Sequence, residues 1–246
     1  MSLRGTPRWV FRSSRETVRM RPDQVLRELR SHGSRANVEG MARFGISSKN
    51  TLGVSMPTLR GLAKRIGKDH GLALELWESG LHEARILAAL VDEPSLVTAA
   101  QMERWAGELD SWDVCDQCCS NLFDKTKFAH EKALEWAARE EEFVKRAGFS
   151  LMAALAVHDK VAKDEAFEAF LPAIRRGAVD ERNFVKKAVN WALRQVGKRN
   201  AALNREALAL AEELAGAESR SARWVASDAI RELSSGPVQK RLRRSS

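Results

Sequence analysis

The sequence of 246 residues has no tyrosine, few cysteines and no long apolar run. Because no apolar stretch approaches the roughly 20 residues that a membrane-spanning helix needs, we expect no membrane partner. Its three cysteines, Cys115, Cys118 and Cys119, form one cluster, and an odd number argues against a secreted disulfide framework. The cysteine usage therefore predicts a reducing, cytoplasmic compartment.

Several motifs with known chemistry are also missing. The sequence contains no Gly-rich phosphate loop, no Ser-His-Asp order and no HExxH. Cys115 and Cys118 have Cys-x-x-Cys spacing, but a structural zinc site needs four ligands and there is no second cysteine pair. No strand precedes the cluster, as a thioredoxin-like redox motif requires. We therefore predict no metal and no cofactor, and interpret the cysteines as small buried residues.

Positive charge is what the chain has in excess. Lysine and arginine number 41 against 33 aspartates and glutamates, a net charge of +8. Such an excess suits a polyanionic partner such as nucleic acid. The hydrophobic fraction of 44% is enough for one large core or one continuous repeat array.

Both ends of the chain are basic. Residues 1–21 are rich in Arg and Ser and lack the continuous apolar core of a secretory signal, so we expect a disordered extension. An organellar transit peptide has a similar composition and stays open as an alternative. Residues 237–246 form a second basic tail, which we expect to be frayed.

Residues 22–236 are predicted to form a succession of short helices, the first with Asp23 as its N-cap. Val, Ile and Thr never alternate over a strand-length stretch, so no sheet is expected. Helix pairs recur at roughly forty residues, which predicts an all-α solenoid of HEAT type with a concave face for an extended partner. The predicted helices span residues 22–33, 35–44, 57–67, 70–79, 81–91, 98–109, 112–124, 128–138, 140–158, 162–176, 181–197, 201–215 and 219–234.

Three helices carry candidate functional residues. In residues 112–116, Trp112 and Asp116 are one helical turn apart, so an aromatic plane and a carboxylate share a face. Such a pair can pack against a sugar and stabilise a developing cation, or Trp112 can be core and Asp116 an exposed charge. Arg146 lies in an otherwise apolar helix, where its guanidinium can bind phosphate or pair with Glu142.

The third helix is predicted at residues 183–196. At 100° per residue, its valines form a core stripe. Lys187, Asn190 and Arg194 cluster on roughly the opposite side, with Trp191 between the two faces. This arrangement predicts a basic stripe beside a partly open tryptophan, although a Trp at the edge of the core gives the same pattern.

Taken together, these motifs resemble the AlkD-type DNA alkylation repair glycosylases. The matching segments are Trp-Asp-x-x-Asp at 112–116, the arginine at 146, Phe-Val-x-Lys-Ala-x-x-Trp-x-Leu-Arg at 184–194, Met-Ala-Arg-Phe at 41–44, Leu-Gly-Val at 52–54 and Pro-x-x-Arg at 57–60. The family often carries Tyr where this chain has Phe44, and Gln can stand at Ser55.

The resemblance implies a HEAT-like solenoid that holds duplex DNA and excises alkylated purines such as 3-methyladenine and 7-methylguanine. It implies Asp116, Trp112 and Trp191 as catalytic residues. Arg146, Lys187, Asn190 and Arg194 are the expected DNA-binding residues, and the protein is expected to be a monomer. A non-catalytic solenoid that binds nucleic acid or protein is the alternative.

Overall fold

The computed structural model describes residues 20–244, so the expectations for residues 1–19 and 245–246 lie outside the described part of the chain. Within that part the fold is entirely helical, as predicted, and no helix is both long and apolar enough to cross a membrane. A 3-10 turn covers Phe123–Lys125. The α-helices are α1 (Pro22–Ser31), α2 (Arg35–Ala42), α3 (Met56–Ile66), α4 (His70–Glu78), α5 (His82–Val91), α6 (Ala99–Gly107), α7 (Trp112–Asn121), α8 (Ala129–Ala137), α9 (Glu142–His158), α10 (Asp164–Glu168), α11 (Leu171–Gly177), α12 (Asn183–Gly197), α13 (Ala201–Ala215), α14 (Arg220–Leu233) and α15 (Gly236–Arg244).

Helices α3, α5, α7, α9, α12 and α14 pack side by side in chain order and form an inner row. Two hydrogen bonds show that α9 and α12 run parallel. Arg146, near the start of α9, donates to the Phe184 carbonyl at the start of α12 (2.6 Å), and Arg199, just after α12, donates to the Ala156 carbonyl near the end of α9 (3.2 Å). Helices α4, α8, α11 and α13 pack against this row as an outer layer, which is the solenoid that the helix spacing predicts.

The core lies between the two layers. Val185, Val189 and Val196 of α12 are buried, as their spacing predicts. Burial of each contributes about 1.5–3 kcal/mol relative to leaving it in water. Gly148 of α9 marks the closest approach of the layers, because a Cβ there would lie 2.4 Å from the backbone nitrogen of Ala137 at the end of α8.

Two helix boundaries differ from the predictions. Arg21, not Asp23, is the N-cap of α1, and Asp23 instead lies in the first turn, where it accepts a hydrogen bond from Arg27 (2.9 Å). The helix predicted at 162–176 is two helices, α10 and α11. Pro172 lies in the first turn of α11. Proline has no N–H and its ring clashes with the carbonyl four residues earlier, so one helix cannot continue through it.

The expectation of a frayed C-terminal tail is wrong for residues 237–244, which lie in α15 (Gly236–Arg244). Leu242 is buried, and the Gln239 side chain donates to the Leu233 carbonyl (2.7 Å) and to Asn204 Oδ1 (3.0 Å). Val238 and Leu242 are one helical turn apart, but two apolar side chains among many charges are a weak periodic signal from which to predict a helix.

Candidate active site at the start of the inner helices

A carboxylate and a guanidinium join α7 to α9. Asp116 accepts from Arg146 through both oxygens, with Nη2 at 2.8 Å from Oδ2 and at 3.0 Å from Oδ1 and Nε at 3.2 Å from Oδ1. Arg146 is only 5% exposed, and its third nitrogen, Nη1, donates to the Phe184 carbonyl. Bidentate pairing of this kind fixes geometry as well as charge, so Asp116 is held in one orientation.

Ser150, which the sequence did not single out, is a third member of this cluster. It lies one helical turn after Arg146 on α9 and is fully buried, and its hydroxyl donates to Asp116 Oδ1 (2.9 Å). Burial raises the pKa of the Asp116 carboxyl, and Arg146 and Ser150 oppose that rise. The Asp116 side chain is 18% exposed, so a small molecule such as water can still reach it.

A pocket of about 270 Å³ opens beside this cluster. Its lining combines aromatic side chains with two cations. Trp112, at the start of α7, has its ring centre 5.9 Å from the Arg146 guanidinium carbon. The pocket is lined by Phe44, Trp112, Arg146, Phe184 and Lys187.

The turn after α2 forms one wall of this pocket. Trp112 Nε1 donates to the Phe44 carbonyl (3.1 Å), and the Phe44 side chain is 69% exposed. Gly45 follows with a φ of +79°, and a Cβ on it would lie 2.9 Å from the Phe184 ring of α12. A residue with a side chain would be strained there and would clash, so glycine lets the turn reach from α7 to α12.

A second, mostly apolar cleft of about 430 Å³ shares Trp112 and Phe44 with this pocket. The ion pair of buried His82 and partly buried Asp113 lines the cleft (2.8 Å), and the Ser111 hydroxyl donates to Asp113. Ser55 lines the cleft and caps α3.

The contact between His82 and Asp113 shifts the pKa of each side chain in the direction that favours its charged form. Burial acts to lower the pKa of His82, but the hydrogen bond and charge of Asp113 outweigh it, and the pKa of His82 is raised. Burial acts to raise the pKa of Asp113, but His82 and Ser111 outweigh it, and that pKa is lowered. The sequence did not single out this pair, since its members are 31 residues apart.

The predicted stripe on α12 is only partly exposed. Lys187 is exposed and lines the pocket beside Trp112. Asn190 is 3% exposed and donates to Asp228 Oδ2 (2.7 Å). Arg194 pairs with Asp228 (3.5 Å) and with Glu232.

The expectation that Asn190 lies on an exposed basic stripe is therefore wrong, and Arg194 is neutralised by two carboxylates. A helical wheel shows which residues point away from the core, but it cannot show that α14 packs against that side of α12.

Trp191 does not line the pocket. It is partly buried and packs against the core, as a Trp at the border of the valine stripe would. With the Gln195 amide oriented so that its oxygen accepts, Trp191 Nε1 lies 3.1 Å from Gln195 Oε1. The structure thus brings Trp112, Asp116 and Arg146 together, and leaves Trp191 one turn beyond Lys187.

The cysteine cluster is structural, as interpreted from the sequence. All three thiols are free and buried, and the Cys119 thiol donates to the Ala147 carbonyl (3.5 Å). Burial raises the pKa of the Cys118 and Cys119 thiols well above the ordinary value. Among residues 20–244, no group of three or more His, Cys, Asp or Glu side chains is arranged to hold a metal ion.

The fold and the site define a helical-repeat solenoid with a buried, arginine-bound carboxylate beside an aromatic pocket. The chain belongs to the DNA alkylation repair enzyme family, whose model matches residues 25–233.

The solenoid is similar to a solved structure from a family of proteins related to the HEAT-like repeat DNA glycosylases, with affinity for branched DNA structures. The two share 19% sequence identity and a TM-score of 0.74, over 87% of this chain and 96% of the other. None of the curated proteins compared with the chain matches it.

Proposed function

We propose that this protein is a monofunctional DNA glycosylase that hydrolyses the N-glycosidic bond of cationic N3- or N7-alkylated purines in duplex DNA. The expected substrates are 3-methyladenine and 7-methylguanine. The observation that carries the proposal is Asp116, a carboxylate held by Arg146 and Ser150 beside Trp112 and a pocket. We propose that the protein acts as a cytoplasmic monomer.

One carboxylate is sufficient for this chemistry. An N3- or N7-alkylated purine is cationic, so the bond from C1′ to the base breaks with its electron pair on the base, which leaves neutral. Little protonation of the leaving group is needed, and a second carboxylic acid is dispensable, unlike in the usual glycosidase pair. Positive charge instead develops on the deoxyribose. Asp116 stabilises that charge and accepts a proton from the water whose oxygen bonds to C1′.

Trp112 and Trp191 have supporting roles in this proposal. The Trp112 ring forms a wall of the pocket, where its face can contact the sugar as charge appears, a cation–π contact that strengthens toward the transition state. Trp191 would add such a contact if it turned toward the pocket from its position one turn beyond Lys187.

The two cations differ in role. Lys187 is exposed and suited to a phosphate beside the lesion. Arg146 already donates to Asp116 and Phe184, so we assign it first to positioning the carboxylate and only then to phosphate. Arg194 would reach phosphate only by leaving its carboxylate partners.

A non-catalytic DNA-binding protein is the second candidate. The similarity to a solved structure whose family has affinity for branched DNA favours it. A solenoid that binds junctions needs basic and aromatic surface, whereas the buried Asp116 cluster has no evident use in binding a polyanion. For that reason the glycosylase is our first proposal.

Release of 7-methylguanine from methylated duplex DNA under single-turnover conditions tests the proposal. We expect free base to appear while the strand stays intact, as for a monofunctional enzyme. Strand cleavage together with base release would instead assign Lys187, which lines the pocket, as a Schiff-base nucleophile. Binding of the same duplex and of a four-way junction is measured in parallel. Junction binding without base release would support the second candidate and reject the first.

A further inference from the structure

An exposed tryptophan lies at the far end of the inner row, outside the site described above. Trp224 is in the first half of α14 and is 41% exposed. The Lys186 ammonium of α12 lies 5.5 Å from the centre of its ring. A large aromatic side chain with this exposure and a cation beside it is the combination found where proteins bind single-stranded nucleic acid.

The packing of α12 on α14 places this pair on the same face as the proposed active site. Asn190 of α12 contacts Asp228 of α14, and one turn later Arg194 contacts Glu232, so residues 38 positions apart are neighbours. One turn earlier, the same register places Lys186 opposite Trp224. Lys187, the next residue on α12, lines the pocket beside Trp112. Trp224 therefore extends the face by one helix beyond the pocket.

The chemistry of the pair favours an unpaired base over an intact duplex. Every base has a π-face that can stack on indole, but in a duplex those faces are covered by neighbouring base pairs. Away from the ends of a duplex, stacking on an aromatic side chain is available only where the strand is single, at a flap, gap or branch. Lys186 supplies the positive charge that holds the adjoining phosphate.

We propose that Trp224 and Lys186 form a second DNA-binding site, which stacks an unpaired base of a single-stranded segment adjoining the duplex. The proposal rests on the proposed function only in assuming that DNA lies on this face. It does not require that the base be excised. The site would direct the protein to duplexes with a nearby strand discontinuity or branch.

The test compares the dissociation constants of the full chain for two DNAs, a blunt duplex and the same duplex with a single-stranded flap. We expect the wild type to prefer the flapped DNA. Trp224→Ala should lose about 10-fold in affinity for the flapped DNA and little for the blunt duplex, whereas Trp224→Phe, which keeps a stacking face, should retain most of the preference. Leu96→Ala, at an apolar side chain that is 55% exposed, is the control and should change neither affinity.

Lys186→Gln adds a second measurement. It should weaken binding of the flapped DNA more than binding of the blunt duplex, and lower the log–log salt slope for the flapped DNA by about 0.7. Equal preference for the flap in Trp224→Ala and the wild type would overturn the proposal. So would a loss of affinity in Trp224→Ala that is the same for both DNAs, with circular dichroism and thermal unfolding unchanged.

Base release separates this proposal from the glycosylase. Trp224→Ala should release 7-methylguanine from the blunt duplex at the wild-type single-turnover rate. If the wild type releases no base and its flap preference still depends on Trp224, the glycosylase proposal fails and the second site stands. If the wild type excises but shows no flap preference, the second site fails alone.

Discussion

The seam between α7 and α9 and the face formed by α12 and α14 use charge in opposite ways. At the seam, Arg146 is buried and Asp116 is mostly buried, and their charges are paired and held by several hydrogen bonds. On the surface of α12 and α14, Lys187 and Trp224 are exposed. This difference in burial and pairing corresponds to the two tasks that the proposed function assigns to these regions. A charge that must stabilise a transition state has to be oriented in advance, whereas groups that contact a long polyanion can remain solvated.

Under the proposed function, the ion pair of Asp116 and Arg146 serves position rather than stability. Removing charges from water is costly, and their attraction seldom repays more than that cost. The seam nevertheless keeps Asp116 and Arg146 against a fully buried Ser150. We infer that this arrangement is maintained for the orientation and ionisation of the carboxylate.

The largest expected effect comes from removing the charge of Asp116. Asp116→Asn keeps the size of the side chain but cannot stabilise a cationic sugar, so we expect single-turnover excision of 7-methylguanine to fall about 100-fold, or about 3 kcal/mol. Affinity for undamaged duplex should stay the same or rise slightly. Asp159→Asn is a matched control, since Asp159 is similarly exposed and also ion-paired, with His130. An excision rate equal to that of wild type would remove Asp116 from the mechanism.

The next effect concerns the second buried pair, His82 and Asp113, which we expect to act through stability. His82→Ala leaves Asp113 partly buried without its partner, and should lower the free energy of unfolding by about 2 kcal/mol, less than for a fully buried pair. Urea unfolding of the wild type and of His82→Ala measures this difference in the free energy of unfolding.

The pH dependence of that contribution has two limbs. The pKa of His82 is raised above its ordinary 6.5, so its contribution is complete below that pH and is lost as pH rises through the folded-state pKa. The pKa of Asp113 is lowered, so its contribution is present above 3.8 and is lost as pH falls through the folded-state value. Unfolding curves of the wild type should therefore be pH-dependent above 6.5, and those of His82→Ala less so. Identical pH dependence would contradict an ion pair.

Ser150→Ala should have a smaller effect with a distinct pH signature. Its hydroxyl stabilises the ionised carboxylate, so removing it should raise the pKa of Asp116 further and cost about 1 kcal/mol, or roughly 5-fold in excision rate. Because excision needs ionised Asp116, the acidic limb of the pH–rate profile should move to higher pH.

Ser221→Ala is the control for the shift of the acidic limb in the pH–rate profile. The buried Ser221 hydroxyl donates to the backbone carbonyl of Asp180 (2.7 Å) and not to a carboxylate. A limb that moves equally in both variants, or in neither, would mean that Ser150 does not act through Asp116.

The smallest expected effect belongs to Lys187 on the exposed face. Lys187→Gln should weaken duplex binding several-fold and lower the slope of log affinity against log salt concentration by about 0.9. The excision rate measured with all DNA bound by protein should be unchanged. Lys160→Gln, another exposed lysine near the end of α9, should leave the slope intact. A changed excision rate at saturation would assign Lys187 to the pocket chemistry and weaken the contrast between the two regions.

The sequence by itself determined the helical class and the existence of most helices, because apolar spacing and short polar loops are local properties. It also singled out Trp112, Asp116 and Arg146 through motif spacing. Some helix predictions from the sequence were wrong for reasons that lie within the local sequence, and not only because of tertiary packing. Pro172 was included in one long helix although proline breaks a helix, and Val238 and Leu242 of α15 are too sparse an apolar pattern to predict a helix.

Only the tertiary structure decided which polar residues meet. Asn190 faces outward on a helical wheel, but the packing of α14 buries it, and Arg194 gains two carboxylate partners from the same helix. Ser150 becomes part of the site because α7 and α9 pack in parallel at a register that places it 2.9 Å from Asp116. These contacts join residues 30 or more positions apart, and a periodic pattern along one helix carries no information about the register of its neighbour.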